Sequence, residues 1–341
     1  MKALRVTCAI LFILLTNQLY AQRLPVVNIL DSGHKTSLRG LSVVNNNVVW
    51  ASGSNGTVVR STDGGKTFTW LTVPGYEKRD FRDIDAVDEK SALIMAVDEP
   101  GIILKTTDAG KNWLPVFIDS TKGMFMDAMN FSGKTGIVVG DPLQGFAFLA
   151  YTKDGGNTWH KVTGKANQVN VEKDEAFFAS SGTNVKVVTD GDISTNQVWM
   201  VTGGSKARLV KDDTAFAMPM LQGANSQGAN SIDVMGNKAV VVGGDFAHDT
   251  ITSGNCVLFN ISESNIVFTK PQTPPHGYRS CVAFIDRRHL VTCGTSGVDI
   301  STDGGNNWQL VTKTGFHVCQ KARRGDAVYL AGGGGKIARL K

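Results

Sequence analysis

The stretch Ser61-Thr-Asp-Gly-Gly-Lys-Thr-Phe68 recurs along the chain with small changes. The other copies are Thr106-Thr-Asp-Ala-Gly-Lys-Asn-Trp113, Thr152-Lys-Asp-Gly-Gly-Asn-Thr-Trp159 and Ser301-Thr-Asp-Gly-Gly-Asn-Asn-Trp308. Successive aspartates are 45, 46 and 149 residues apart, so the last interval has room for about three repeats of similar length. A period in the forties, with strand patterns on both sides, predicts a β-propeller.

Each copy of the repeat is typical of a tight turn. The aspartate carboxylate can accept hydrogen bonds from local backbone amides, and glycine tolerates the positive φ that such a turn needs. The closing tryptophan or phenylalanine can pack between neighbouring sheets. The pattern resembles the Asp-box of bacterial-neuraminidase repeats. We therefore predict a structural role for Asp63, Asp108, Asp154 and Asp303.

The strand pattern around the repeats divides the chain into seven blades. In the first blade the predicted strands are 37–44, 48–52, 57–61 and 67–73. In blades four and five the repeat has decayed, but the middle strands persist at 198–204 and 239–244. Residues 317–341 supply only three strands, and the strand at 24–30 completes their sheet, which hides the exposed edges. We predict an all-β fold, a seven-bladed β-propeller in one domain at 22–341, with the N-terminal strand closing the last blade.

Residues 1–21 are predicted to form a secretory signal peptide. Lys2 and Arg5 precede an apolar run at 8–15, and a cleavage site follows Ala21. The run is too short to span a membrane. Without Lys2 and Arg5 the formal charge falls from +5 to +3, which is too small to indicate nucleic-acid or membrane binding. We expect a secreted or periplasmic monomer.

The cysteine pattern indicates no metal centre. Four cysteines follow the predicted signal peptide, namely Cys256, Cys281, Cys293 and Cys319. Cys281 and Cys293 flank a hairpin, so both a disulfide and two buried thiols stay open. The chain has no Cys-x-x-Cys or His-Glu-x-x-His spacing, and we predict neither a metal nor another cofactor.

The predicted ligand face lies opposite the repeat turns, where the loops that lead into the innermost strands surround the channel. Residues near the starts of these strands are Arg39, Arg82, Met126, Asn230, Arg279 and His317. The neighbouring loops add Glu99, Asp141, Asp245, His248, Asp174 and Glu175. Arginine can grip a carboxylate or sulfate with two hydrogen bonds. The predicted ligand-binding residues are therefore Arg39, Arg82, Arg279, His317, Asp245 and His248.

Two carboxylates predicted on this face would also permit catalysis. A pair of carboxyl groups can serve as acid and base on a glycosidic bond, which makes Asp141 and Glu175 the candidate catalytic residues. A structural alternative stays open, in which the arginines only fill a watered channel together with carboxylate partners.

Several segments resemble the photosystem II assembly/stability factor-like propellers. They are Arg39-Gly-Leu-Ser, Trp50-Ala-Ser-Gly, Phe81-Arg-Asp-Ile84 and Lys105-Thr-Thr-Asp-Ala-Gly-Lys-Asn-Trp113, and the resemblance covers essentially the whole mature chain. The photosynthetic members are assembly chaperones that contact a nascent reaction-centre subunit through an arginine-lined surface. The resemblance thus implies partner contact for Arg39, Arg82 and Arg279. Segments 140–145 and 174–182 look like a secreted bacterial subgroup.

Two functions stay open, and the sequence does not decide whether the protein is an enzyme. The first is an extracytoplasmic binding or assembly module whose arginine-lined channel face recognises a glycan, another acidic or polyhydroxylated ligand, or a partner protein. The second is a carbohydrate-active enzyme, either an exo-acting glycosidase, a sialidase-like enzyme or a polysaccharide lyase. Sialidases share the Asp-boxes, but Asp83-Ile84 follows Arg82 where they have Ile-Pro.

Overall fold

The structure, a computed structural model, describes residues 25–163, 168–188, 197–212, 214–261 and 266–341. These residues form seven antiparallel sheets. The innermost strands of successive sheets contact one another in order, and the last contacts the first, so the sheets close into a ring. This arrangement confirms the predicted all-β, seven-bladed propeller. Within the described ranges, no helix has the length and apolar character needed to cross a bilayer.

The strands are numbered along the chain. The N-terminal strand is β1 (Val27–Asp31). Blade one contains β2 (Leu38–Val43), β3 (Val49–Gly53), β4 (Thr57–Ser61) and β5 (Thr69–Thr72). Blade two contains β6 (Phe81–Ala86), β7 (Ala92–Ala96), β8 (Gly101–Thr106) and β9 (Leu114–Asp119). Blade three contains β10 (Met126–Ser132), β11 (Thr135–Leu143), β12 (Phe146–Thr152) and β13 (His160–Lys161).

The middle of the chain forms two less regular blades. The short strand β14 (Glu175–Ala176) precedes blade four, which contains β15 (Val185–Val188), β16 (Gln197–Val201), β18 (Arg208–Lys211) and β19 (Thr214–Ala217). Blade five contains β20 (Gln227–Met235), β21 (Lys238–Asp245) and β22 (Cys256–Asn260). The two-residue strand β17 (Gly203–Gly204) joins β14 to the inner edge of blade five.

The last two blades complete the ring. Blade six contains β23 (Cys281–Phe284), β24 (Leu290–Gly294), β25 (Gly297–Ser301) and β26 (Trp308–Thr312). Blade seven contains β27 (Val318–Lys321), β28 (Val328–Ala331) and β29 (Ile337–Leu340), and β1 pairs antiparallel with β29 as its fourth strand. The N-terminal strand therefore closes the last blade, as predicted. The predicted signal peptide at 1–21 and the first predicted strand residue, Leu24, lie outside the described residues.

The hydrophobic core lies between neighbouring sheets. Trp50 and Phe81 are fully buried between blades one and two, where they pack with Ile94 and Leu104. Trp113, which closes the second repeat, packs against the same cluster. Buried aromatic side chains each remove about 150–250 Å² from water, so they supply much of the stabilisation between blades.

The repeat aspartates lie in hydrogen-bonded turns. Oδ1 of Asp63 accepts hydrogen bonds from the Ser61 hydroxyl at 2.8 Å and from the amides of Lys66 and Thr67 at 3.0 Å each. Its Oδ2 accepts the Thr67 hydroxyl at 2.6 Å. These hydrogen bonds lower the pKa of Asp63. Equivalent contacts surround the other three repeat aspartates, Asp108, Asp154 and Asp303.

Polar side chains on the innermost strands join neighbouring blades. In each case the side chain accepts a hydrogen bond from a backbone amide on the innermost strand of the next blade. The pairs are Ser42 with Ala86 at 3.0 Å, Asp83 with Met129 at 2.6 Å, Asn130 with Val187 at 2.9 Å and Ser231 with Val282 at 3.0 Å. These contacts satisfy amides that face the channel and have no strand partner there.

Residues 176–184, which we call the plug, lie in the centre of the ring. The plug contacts residues of blades one, two, three, five and six. The contacts join Phe177 to Asp141, Ser180 to Arg39 and Asn230, Ser181 to Ser280, and Thr183 to Ser231, while Gly182 packs against Asp83. Because one segment reaches five other blades, it must occupy the channel axis. The plug thus divides the channel into two separate cavities.

Replacement of Gly182 with alanine is expected to destabilise the fold. Gly182 has φ +66°, and an added Cβ would lie 2.3 Å from Cγ of the buried Asp83. Gly133 has a nearly equal φ of +61° with nothing within 4 Å, which makes Gly133→Ala a matched control for backbone strain alone. We expect Gly182→Ala to cost about 1–3 kcal/mol more than the control, the usual cost of overpacking. Urea unfolding would measure both, and equal losses would contradict a packed plug.

Candidate functional site

A cavity of about 490 Å³ opens at one end of the channel, and we call it the channel-mouth pocket. Its polar wall includes Arg39, Arg82, Asp127, Asp141, Asn230 and His317. The plug forms its floor through residues 176–180. The pocket therefore combines the N-terminal ends of several innermost strands with a segment that precedes blade four.

β-bulges aim four of these side chains at the axis. The pairing of the first two strands shifts register at Arg39 in blade one, at Arg82 in blade two, at Asp127 in blade three and at Asn230 in blade five. A bulge inserts one unpaired residue and redirects its side chain. The same device, repeated in four blades, brings two cations, a carboxylate and an amide to one cavity.

Arg39 and Arg82 form the basic side of the pocket. Nη1 of Arg39 donates a hydrogen bond to the carbonyl oxygen of Ser180 at 3.0 Å. Burial, together with the positive charge of Arg82, lowers the pKa of Arg39. Nε of Arg82 lies 2.8 Å from Oδ2 of Asp80, and its guanidinium lies over the ring of Phe125 at 5.9 Å. Two cations in one half-closed cavity favour an anion there.

His317 adds a polar group to this side without adding charge. Burial, reinforced by the charges of Arg39, Lys336 and Arg82, lowers the pKa of His317 to about 3. The imidazole is therefore neutral near pH 7. One nitrogen of a neutral imidazole donates a hydrogen bond and the other accepts one, so His317 can pair with either kind of ligand group.

Asp127 and Asp141 form an acidic corner in the same pocket. Oδ1 of Asp141 accepts the amide of Phe177 at 3.2 Å, while burial raises the pKa of Asp141 to about 6. Asp127 is fully buried, and burial together with the charge of Asp141 raises its pKa well above the usual range. Neither oxygen of Asp127 accepts a well-aligned hydrogen bond, although the amides of Ala179 and Asp141 offset part of this rise.

Aromatic rings complete the wall of the pocket. Phe246 meets Phe178 and Tyr278 edge to face, with ring centroids 5.8 Å and 6.2 Å apart. The hydroxyl of Tyr278 donates to Oδ1 of Asn230 at 2.9 Å. Phe246 is 49% exposed, which is unusual for phenylalanine and leaves an apolar face beside the charged groups.

A second cavity, of about 370 Å³, lies on the other side of the plug. Four of its charged side chains form two ion pairs. Nη1 of Arg323 lies 3.1 Å from Oδ2 of Asp85, and Nζ of Lys186 lies 2.7 Å from Oδ1 of Asp233. The channel-mouth pocket is therefore the better candidate for ligand binding, because it contains the unpartnered carboxyl group of Asp127 and the two neighbouring cations Arg39 and Arg82.

Arg279 lies in the blade interior and does not line the channel-mouth pocket. Its side chain is fully buried, and Nε donates to Oδ2 of Asp299 at 2.7 Å. Further hydrogen bonds reach the Tyr278 carbonyl at 2.7 Å and the Ser296 hydroxyl at 2.8 Å. Side chains alternate along a strand, and the next residue, Ser280, lines the pocket at this position.

Glu175 is not brought together with Asp141 on the pocket wall. Its carboxylate is fully buried and pairs with Arg208, whose Nη2 lies 2.6 Å from Oε2. Oε1 accepts hydrogen bonds from Arg208 Nε at 2.7 Å and from the Thr202 hydroxyl at 2.5 Å. Glu175 is thereby sealed at the base of the plug, where an acid or base has no access to a substrate.

Asp245 and His248 form a turn at the rim instead of lining the cavity. Oδ2 of the buried Asp245 lies 3.1 Å from Nδ1 of His248, and Oδ1 accepts the amide of Ala247 at 2.9 Å. Burial opposes ionisation of Asp245, but hydrogen bonds from Ser226, Gln227 and His248 outweigh it and lower the pKa. Phe246, between these two predicted residues, is the one that reaches the pocket.

The cysteines and acidic residues form no metal centre in the described part of the chain. Cys256, Cys281, Cys293 and Cys319 are buried free thiols. Cys281 and Cys293 lie directly opposite each other on β23 and β24, so the structure shows the thiol alternative rather than a disulfide.

Comparison with known proteins identifies the relatives of this fold. The family described as photosynthesis system II assembly factor YCF48 matches residues 26–123 and 69–192. The chain is a YCF48-like β-propeller. A solved structure titled "YCF48 bound to D1 peptide" is 15% identical, with a TM-score of 0.65, and the match covers 93% of this chain and 97% of that one. The YCF48-like propeller matches no curated protein by sequence.

Two further solved structures show the same fold. YCF48 from Cyanidioschyzon merolae is 18% identical, with a TM-score of 0.62, and the match covers 92% of the YCF48-like propeller and 98% of that chain. The WD40 β-propeller domain of Doa1 is 11% identical, with a TM-score of 0.62 and coverage of 93% and 97%. At these identities the likeness establishes the architecture alone.

Sequence reasoning missed Asp127 and the plug of the YCF48-like propeller. An aligned reading of the innermost strands would have found Asp127, because Met126-Asp127-Ala128-Met129 has the pattern of Phe81-Arg82-Asp83-Ile84. The plug carries a weaker signal, which is the run of small residues Ala179-Ser-Ser-Gly182 after two phenylalanines. Small residues suit a segment that passes between the crowded inner strands.

Proposed function

We propose that the protein is an extracytoplasmic, non-enzymatic binding or assembly module whose channel-mouth pocket takes an acidic segment of a partner protein. The observation that carries the proposal is the convergence of Arg39 and Arg82, which two β-bulges aim into one cavity. The similar solved structure of YCF48 is titled as bound to a D1 peptide, which supports a peptide as the ligand. The sequence of residues 1–21 supports the extracytoplasmic location.

The electrostatics of the basic side favour an anion. Burial and the neighbouring Arg82 lower the pKa of Arg39, which means that Arg39 carries its charge at a cost in this pocket. A carboxylate placed between them relieves both the repulsion and the desolvation. Asp80 holds Arg82 by its Nε at 2.8 Å, which orients the rest of the guanidinium for a two-pronged grip on a ligand.

The aromatic wall suits a peptide that carries an apolar side chain near its acidic group. Phe246 is 49% exposed beside the pocket and is held by Phe178 and Tyr278. An exposed aromatic side chain next to charged groups is the usual composition of a binding anchor.

A carbohydrate-active enzyme is the second candidate, and one observation favours it. Asp141 has a pKa of about 6, a value that suits a general acid near neutral pH. Glu175 is sealed by Arg208, so the second carboxyl group would have to be Asp127. An acid and a base must flank the scissile bond, but both of these carboxyl groups are on one wall of the pocket. This arrangement makes a glycosidase the weaker candidate.

Paired peptides and glycans test the proposal. A short fluorescent peptide rich in glutamate would be titrated into the purified protein, with the same peptide containing glutamine as the matched control. We expect the acidic peptide to bind about tenfold tighter or better, as a charge-assisted contact implies. Anionic oligosaccharides would be tested for binding and turnover in parallel. Turnover that Asp141→Asn abolishes, or glycan binding without peptide binding, would contradict a peptide-binding module.

A further inference from the structure

An anionic ligand in the channel-mouth pocket would have no favourable contact with its acidic corner. Asp127 is buried on β10, and Asp141 lies on the neighbouring β11, with both carboxyl groups on the wall of the cavity. An acidic segment bound at Arg39 and Arg82 would leave this corner without a function. The corner therefore needs its own explanation.

The carboxylate oxygens of Asp127 lack well-aligned hydrogen-bond partners. Its side chain is fully buried, it lines the cavity, and neither carboxylate oxygen accepts a well-aligned hydrogen bond. Buried polar atoms in folded proteins nearly always have partners, and an isolated buried carboxyl group is costly. The amides of Ala179 and Asp141 lie close enough to offset part of the raised pKa of Asp127, but neither makes a well-aligned hydrogen bond to it, and the Asp141 amide donates to the carbonyl oxygen of Phe125 at 2.9 Å. A ligand that donates hydrogen bonds would satisfy Asp127.

The charges around the corner leave room for a cation. Arg82 is the closest positive group, but its Nε is committed to Asp80 at 2.8 Å and its guanidinium lies over the Phe125 ring. The Phe177 amide of the plug reaches Asp141 as a neutral donor at 3.2 Å. Within the described residues, no lysine or histidine forms an ion pair with Asp127 or Asp141.

We propose that Asp127 and Asp141 form a cation subsite, so that the preferred ligand of the pocket is a peptide segment carrying a lysine or arginine beside its acidic group. The proposal rests on the proposed function, since Arg39 and Arg82 supply the complementary anion subsite. The ammonium or guanidinium group pairs with the half-buried carboxylate of Asp141, and a rotation of the Asp127 side chain into the cavity lets its buried oxygens accept a further hydrogen bond. The partly buried ring of Phe125 on the wall can cover the methylene stem of the bound side chain.

The cation subsite gives binding a distinctive pH dependence. Asp141 has a pKa of about 6, so it is mostly ionised at pH 7.5 and mostly protonated at pH 5. The groups that face it are Asp127 from β10, Arg82 from β6 and the Phe177 amide from the plug, and across the cavity lie Arg39 and neutral His317. A cationic side chain therefore gains affinity as pH rises through about 6. A purely acidic ligand loses affinity over the same range because the ionised carboxylate repels it.

Two fluorescent peptides test the subsite. Both carry two glutamates, followed in one by lysine and in the other by norleucine, which has a similar shape and no charge. Fluorescence anisotropy at pH 7.5 is expected to show about tenfold tighter binding of the lysine peptide. The preference should shrink toward unity at pH 5 and should disappear in Asp141→Asn at both pH values. Asp127→Asn should reduce the preference by less, because burial disfavours the ionised form of Asp127, and Asp326→Asn, an exposed site on the opposite face, should have no effect.

The outcomes separate the subsite from the anionic site. Equal affinity of the two peptides for the wild-type protein would overturn the cation subsite alone, because the acidic groups would still be recognised. An undiminished preference in Asp141→Asn would also overturn it. Binding of neither peptide would overturn both the subsite and the proposed function. Because Asp141 is half-buried, its asparagine variant provides the test even where Asp127→Asn fails to fold.

Discussion

Replacement of Asp299 with alanine is expected to lower the free energy of unfolding by about 3–5 kcal/mol, the usual cost of leaving one partner of a buried ion pair alone. Both side chains of the Arg279–Asp299 pair are fully buried. Without the carboxylate, Arg279 keeps only the Tyr278 carbonyl and the Ser296 hydroxyl as partners. Urea unfolding followed by tryptophan fluorescence would measure the loss.

A surface pair provides the matched control. Asp286 pairs with His289 at 2.7 Å, and both side chains are substantially exposed, so Asp286→Ala should cost no more than about 1 kcal/mol. A similar loss in Asp299→Ala and Asp286→Ala would contradict the buried role of Arg279. It would also reopen the possibility that this arginine contacts ligand.

The second large effect concerns binding. Arg39→Gln and Arg82→Gln are each expected to weaken binding of the glutamate-rich peptide by about 10–100-fold, because a hydrogen bond to a charged group contributes about 1.5–3 kcal/mol. Glutamine keeps a polar side chain but removes the charge. Arg39 should show the larger change, since burial strengthens its interaction with an anion and the pKa of Arg39 is already lowered by the pocket.

The control for the arginine variants lies on the other side of the plug. Arg323 forms an ion pair with Asp85 at 3.1 Å, so Arg323→Gln makes the same charge change without touching the channel-mouth pocket. Its affinity for the acidic peptide should match that of the wild-type protein. An equal loss in Arg323→Gln would show that net charge, and not the pocket, governs peptide binding.

Most of the fold can be predicted from the repeat, because its turns are held by hydrogen bonds between residues that are close together in the sequence. Asp63 and its partners Ser61 and Thr67 are all within one turn. Their spacing marks the blade length, and the surplus strand β1 could be matched to the incomplete blade seven on strand number alone. Local chemistry therefore predicts the number of blades.

The candidate site was harder to predict because its geometry depends on bulges. Arg39 and Arg82 line the channel-mouth pocket, and each is the bulged residue of its strand. In blade six the pocket-lining residue is Ser280, and the neighbouring Arg279 turns its guanidinium inward toward Asp299. A register difference of one residue exchanges a pocket residue for a buried one.

The position of the plug is even harder to predict from the sequence. Ser180 contacts blades one and five, Ser181 contacts blade six and Gly182 contacts blade two, and these contacts join residues far apart along the chain. The position of Glu175 at the end of a loop predicts that it lies on the ligand face, but its partner Arg208 lies 33 residues away on β18. Pairing over such distances depends on the closed ring rather than on local sequence.

A crystal structure of the protein with the tightest-binding acidic peptide would test the central claim most directly. We expect a peptide carboxylate within about 3 Å of the guanidinium groups of Arg39 and Arg82, the distance of a charge-assisted hydrogen bond, with an apolar side chain against Phe246. A peptide bound along a blade edge or in the cavity beyond the plug, with only water between the two arginines, would contradict the assignment of the channel-mouth pocket as the binding site.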